Sequence, residues 1–131
     1  MKSLFACSCA ALAAFGLTSC LNGQEPTCTS SAYAPIVGAL GPKTVAVNQA
    51  AVFVLSYALG SSCGSFGSVV AVPNGNVLQI GVMGAYNGCS CSATTAISQT
   101  SYQFQATAPG TYLLQFLTTN NTFITDTVVV K

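Results

Sequence analysis

From Ala34 to the C-terminus, runs rich in Val, Ile, Thr, Phe and Tyr alternate with short clusters of Gly, Pro and Asn, and this rhythm constrains the fold more than any other feature. Side chains of a strand alternate between two faces, so such runs give half-buried or fully buried strands. Gly and Asn accept positive φ, and Pro fixes φ without an amide proton, so their clusters mark turns. The runs recur at roughly 8 to 12 residues, the spacing of short strands in an all-β domain. No segment repeats apolar residues at the spacing of an amphipathic helix. Strands are expected near Ala34 to Gly38, Thr44 to Val47, Ala51 to Leu59, Phe66 to Val72, Val77 to Tyr86, Thr100 to Ala106, Thr111 to Thr118 and Phe123 to Val130. Pro73-Asn74-Gly75 lies between two of these runs and predicts a tight hairpin.

Alternation also assigns faces. Leu78, Ile80, Val82 and Tyr86 fall on one side of their run, as do Tyr102, Phe104 and Ala106, and then Tyr112, Leu114 and Phe116. Those sets are expected to meet in a core. The run from Ala51 is apolar on both faces, Phe53, Leu55 and Tyr57 against Val52 and Val54, which suits a central strand. Seven or eight short strands over about 100 residues are expected to form one antiparallel sandwich with a single core.

The first residues belong to a different category. Lys2 supplies a positive charge, an Ala-rich apolar run extends from Leu4 to Leu17, and small residues follow. This is the pattern of an export signal, and the run is shorter than the roughly 20 apolar residues of a membrane span. Leu17-Thr18-Ser19-Cys20 resembles the lipobox of bacterial lipoproteins. The resemblance implies cleavage after Ser19, a diacylglycerol on Cys20, and a lipid-anchored location in the bacterial cell envelope, with the outer membrane the expected membrane. The expected organisation is therefore a signal peptide at 1–19, a flexible tether at 20–31 and a folded domain at 32–131.

Of seven cysteines, Cys7 and Cys9 leave with such a signal and Cys20 carries lipid, so Cys28, Cys63, Cys89 and Cys91 remain. An even set in an exported chain predicts two disulfides, for which four cysteines allow three connectivities. Cys89 and Cys91 are too close in sequence to pair without strain. Each is expected to reach a distant partner, and the favoured pairing joins Cys63 to Cys89 and Cys28 to Cys91. A metal site at Cys89-Ser90-Cys91 is not expected: the chain has no His, and paired ligand clusters are missing.

The ionisable side chains other than Tyr and Cys are Lys2, Lys43, Lys131, Glu25 and Asp126. Without Arg or clustered Lys, the chain lacks the charge with which proteins neutralise nucleic-acid phosphates, so no nucleic-acid partner is expected. General acid-base or nucleophilic catalysis needs His, paired carboxylates or an activated base, and these are missing or solitary. The chain is read as non-enzymatic and without cofactor. Gly81-Val82-Met83-Gly84 lacks the strand-loop-helix setting of a phosphate cradle.

The segment Tyr102 to Phe116, with Phe104-Gln105-Ala106 followed by Pro109-Gly110-Thr111-Tyr112, resembles the late strands of bacterial immunoglobulin-like domains. The resemblance implies an immunoglobulin-like β-sandwich in which Tyr112 is the corner tyrosine. It covers about thirty residues, and the chain departs from antibody-type domains in lacking Trp. As a whole the chain is also similar to small bacterial lipoproteins with a late Cys-x-Cys, a likeness that implies no activity.

Three roles fit these readings. One is an interaction module that contacts a protein or glycan, favoured by Tyr33 and Tyr86 if exposed beside polar loops. The second is a structural subunit that uses Phe123 to Val130 as an exposed edge strand. The third is a hydrolase inhibitor that presents the segment from Asn87 to Ser92. Asp126-Thr127-Val128 also resembles an O-glycosylation site of some bacteria, although an ordinary strand Thr is the preferred reading.

Overall fold

A computed structural model describes residues 27–131; the signal segment, Cys20 and most of the expected tether lie outside the described residues. Nine strands are present among the described residues: β1 (Thr29–Ala34), β2 (Ile36–Leu40), β3 (Thr44–Val45), β4 (Ala51–Ala58), β5 (Gly64–Asn74), β6 (Val77–Asn87), β7 (Ile97–Phe104), β8 (Gly110–Leu117) and β9 (Phe123–Val130). No helix occurs among them. β2, β4 and β7 form a small sheet with β4 at its centre. The other six strands form a larger sheet, and the core lies between the two.

β6 organises the larger sheet. Along one edge it pairs with β5, from Gly64 opposite Tyr86 to Asn74 opposite Val77. Its other edge is divided: residues 82–87 pair with β1 and residues 77–80 with β8. β9 follows β8, and β3 covers only the last two residues of β9. The hairpin expected at Pro73-Asn74-Gly75 closes with Gly75 and Asn76 as its two loop residues. Gly75 has φ 61° whereas Asn76 has no positive φ, the pattern of a type II′ turn with Gly in the first central position.

Most pairings are antiparallel, but β6 with β8 and β3 with β9 are parallel. This corrects the expectation of a wholly antiparallel sandwich. Parallel neighbours cannot be joined by a tight turn. The chain leaves β6, runs through β7 in the opposite sheet and returns as β8, so the second sheet serves as the crossover.

The expected faces meet in the core. Phe53, Leu55 and Tyr57 of β4 oppose Ile80 and Val82 of β6, Leu114 and Phe116 of β8, and Val128 and Val130 of β9. Phe53 and Phe116 pack with ring centroids 5.9 Å apart and planes tilted by 41°. Phe104 meets Tyr112 edge-on at 5.4 Å, and the Tyr112 hydroxyl donates to the Ala108 carbonyl oxygen at 2.9 Å. One polar residue enters this interior: Asp126, on the inner side of β9, is buried and paired with Lys43. A buried carboxylate needs such a partner, and the strand pattern gave no warning of it.

Two expectations need correction. The sheet starts at Thr29, within the segment read as tether, because the backbone of Thr29 to Ala34 pairs with β6 whatever its polar side chains. Strand pairing is made by backbone groups, so a Ser- and Thr-rich run can join a sheet without an apolar pattern. β9 is an edge strand only in part: β8 flanks one side throughout, β3 covers Val129 and Val130 on the other, and residues 123–128 have no strand partner on that second side among the described residues. β4 is central as expected, and its Val52 and Val54 side chains face solvent.

Truncating Phe53 to Ala is therefore expected to cost about 3 to 5 kcal/mol in urea unfolding, the usual loss for a buried aromatic. Val52→Ala, one residue away on the open face, should stay within about 0.5 kcal/mol of the parent.

Candidate binding surface

Cys28, Cys63, Cys89 and Cys91 gather at one end of the larger sheet, where β1 and the start of β5 flank the end of β6. They form two disulfides, Cys28 with Cys89 and Cys63 with Cys91. This corrects the expected pairing of Cys63 with Cys89 and Cys28 with Cys91, and backbone registration explains the difference. The Gly88 amide donates to the Cys28 carbonyl at 2.8 Å, so the chain leaving β6 first passes the start of β1. It then runs beside residues 61–63: the Ser62 amide donates to the Ser92 carbonyl at 2.8 Å, the Ser92 amide to the Ser62 hydroxyl at 3.0 Å, and Ser61 bridges Ala93. Cys89 is thus level with Cys28, and Cys91 with Cys63.

This end has little core of its own. Most of β1 and residues 65–68 of β5 are solvent-exposed, and Tyr86, half-buried, donates its hydroxyl to the Leu59 carbonyl at 2.8 Å. Tyr86 therefore ties the end of β6 to the loop after β4 instead of presenting a free ring. Where apolar burial is small, covalent links supply stability that packing cannot.

Tyr33 is different. It is 53% exposed on the outer face of the larger sheet, and its ring leans across onto Gly81. A Cβ at Gly81 would lie 2.8 Å from Tyr33 Cε1, so this close approach requires glycine. A depression of about 160 Å³ opens on one side of the ring, lined by Val70, Val72, Gln79, Leu117, Asn121 and Phe123. A second, of about 320 Å³, opens on the other side against Pro35 and the loop of Thr118 to Asn121. That loop turns through Asn120 and Asn121, both with positive φ, at 57° and 56°. Asn tolerates this region better than most residues. On the groove floor the Gln79 side-chain amide donates to Gln115 Oε1 at 3.2 Å. The surface thus combines an aromatic ring, aliphatic walls and side-chain amides, with no ionisable group besides Tyr33 in its lining.

A further cavity of about 320 Å³ lies at the opposite end, between the β5–β6 turn and the start of the β7–β8 connection, lined by Asn76, Leu78, Tyr102, Phe104, Gln105 and Tyr112 among others. Burial pushes the Tyr102 hydroxyl above its ordinary pKa, so it stays protonated through neutral pH.

Among the described residues no three His, Cys, Asp or Glu side chains cluster as metal ligands. Asp126 points inward to Lys43 while Thr127 faces solvent, so an enzyme reading the Asp126-Thr127-Val128 motif would find its acidic residue covered. Sequence reasoning named Tyr33 but not its groove. The signal that could have found it was the Gly81 gap in an otherwise apolar run, which pairing with β1 brings beneath the ring. No protein family, curated protein or solved structure matches this chain.

Replacing Cys63 and Cys91 together by Ser is expected to lower stability by about 2 to 5 kcal/mol. Hydrogen exchange should place the loss in the start of β5 and in residues 87–93, with amides of β4, β8 and β9 still protected. Gly81→Ala should displace the Tyr33 ring: a ring-current shift on the residue 81 Hα protons is expected in the parent NMR spectrum and should collapse in the variant while dispersion elsewhere is kept.

Proposed function

We propose that this chain is an exported, lipid-anchored protein of the bacterial cell envelope whose folded part is a non-catalytic, immunoglobulin-like interaction module. The groove at Tyr33 carries the reading: an exposed aromatic ring whose Cδ1–Cε1 edge rests against a glycine, between two depressions whose polar groups are amides, hydroxyls and backbone. Such a surface suits an uncharged partner, a neutral glycan or an uncharged protein segment, because aromatic faces and amides bind without charge. The two solvent-near disulfides support export, since such bonds persist in oxidising compartments. The bond from Tyr112 to the Ala108 carbonyl supports the immunoglobulin-like assignment, being of the kind made by a corner tyrosine. Anchoring rests on the lipobox ending at Cys20.

A structural role in an envelope assembly is the second reading, favoured by the unpaired outer edge of β5.

Intact mass of the membrane-purified chain tests the anchor. The expected species begins at Cys20, carries added diacylglycerol, takes no thiol alkylator before reduction and takes four adducts after it. Cys20→Ser should move the protein to the soluble fraction with the fold intact. A lipid-free mass with a free thiol would sink the anchored reading. Tyr33→Ala should abolish recruitment of the partner without a change in stability beyond about 1 kcal/mol.

A further inference from the structure

β5 is an edge strand of unusual character. It is eleven residues long, Gly64–Asn74, pairs only with β6 and carries no charged residue. Soluble proteins usually guard a long edge with Lys, inward charges, bulges or Pro, because its unpaired backbone groups template another strand. Here a bulge at Gly67 and a proline at Pro73 bracket the strand, and the stretch between them, Ser68 to Val72, is unguarded.

The direction of its backbone groups follows from the hairpin. Asn74 faces Val77 across a two-residue loop, which makes this pair the one that exchanges both hydrogen bonds. Alternation then turns the backbone groups of Val72 and Val70 toward β6, and those of Ala71 and Val69 toward solvent. Pro73 fits this parity, since its missing amide proton belongs to an outward position. Val70 and Val72 place their side chains on the outer face, where they form the near wall of the Tyr33 groove. The stretch thus offers two outward N–H and two outward C=O groups together with an apolar strip.

β7 provides the comparison. Its far edge is also unpaired, but its outward face carries Gln99, Ser101 and Gln103 beyond Ile97 and supplies no such strip.

We propose that β5 is a homodimerisation edge, at which a second copy of this chain adds its own β5 antiparallel about a two-fold axis through Val70. In this register Val69 of each copy faces Ala71 of the other. All four outward groups on each strand are then matched, giving four hydrogen bonds across the axis. Val70 meets its own counterpart on the outer face, and Val72 lies opposite Ser68. The self-match selects a second copy over a foreign strand: the segment is neutral, so no charge repels its twin, and a two-fold pairing satisfies both edges at once. The two larger sheets become one continuous sheet, and the two Tyr33 grooves share a wall of four valines. This inference is independent of whether the groove binds a glycan or a protein.

Light scattering on the full chain, exported through an oxidising compartment and solubilised in detergent with the detergent mass subtracted, tests the proposal between 1 and 100 μM. The expected result is a dimer that dissociates on dilution. Ala71→Pro removes an outward donor without touching the β5–β6 ladder, and Val70→Lys sets like charges face to face on the axis. Each should shift the midpoint of dissociation upward by at least tenfold, with circular dichroism and melting confirming that the variant is folded. Gln103→Lys, an equal charge on the β7 edge, should leave it unchanged. Amides of Val69 and Ala71 should gain protection from hydrogen exchange as concentration rises. A monomer at every concentration would overturn the proposal, as would a dimer that survives both β5 substitutions or is lost with Gln103→Lys.

Discussion

The double use of one edge of β6 is the constraint on which the rest of the structure depends. With β5 along its whole opposite side, β6 has a single edge left, and β1 and β8 share it end to end. The first half of β6, up to Val82, therefore faces the core between the two sheets, with Ile80 and Val82 in the same buried cluster as Phe53 and Phe116. The second half extends past the core with β1 and β5 beside it. That division makes one end of the domain poor in packing and sets where covalent links are needed. It also leaves β5 with nothing on its far side.

Scarcity of charge shapes the remainder. With Lys43, Asp126 and Lys131 the only Lys, Asp, Glu, Arg or His among the described residues, the surface is built from Ser, Thr, Asn, Gln and exposed aliphatic side chains. The Lys43–Asp126 pair sits beside the parallel β3–β9 contact and holds the segment before β3 against β9, while the Val129 amide donates to the Lys43 carbonyl at 2.8 Å. An uncharged surface does not steer ions or phosphates, and it does not repel a copy of itself. Both the groove at Tyr33 and the edge of β5 draw on that neutrality, one through an aromatic ring and amides, the other through backbone groups and valines.

The groove and the edge are neighbours because strand alternation puts Val70 and Val72 on the side of the sheet where Tyr33 leans over Gly81. The proposed pairing at the edge adds the valines of a second copy to the groove wall. The disulfides stand apart from both, at the end of the larger sheet where β1 begins.

Period-two alternation and turn punctuation determined the all-β class, the position of nearly every strand and the inward faces of β4, β6, β7 and β8, because those follow from local stereochemistry and from which side chains avoid water. The even count of late cysteines determined that two disulfides were to be expected. Which cysteines pair was decided only by tertiary structure, since the strand that lies beside Cys28 or Cys63 depends on registration across β6 rather than on spacing. The same holds for β1, whose Ser- and Thr-rich run carries no apolar signal and is held by backbone bonds alone. It holds for the parallel β6–β8 and β3–β9 contacts, for the burial of Asp126, and for the Tyr33 groove, which joins residues from β1, β5, β6 and β9 that no local pattern connects. Alternation tells which way a side chain points. Only the pairing of strands tells what it meets.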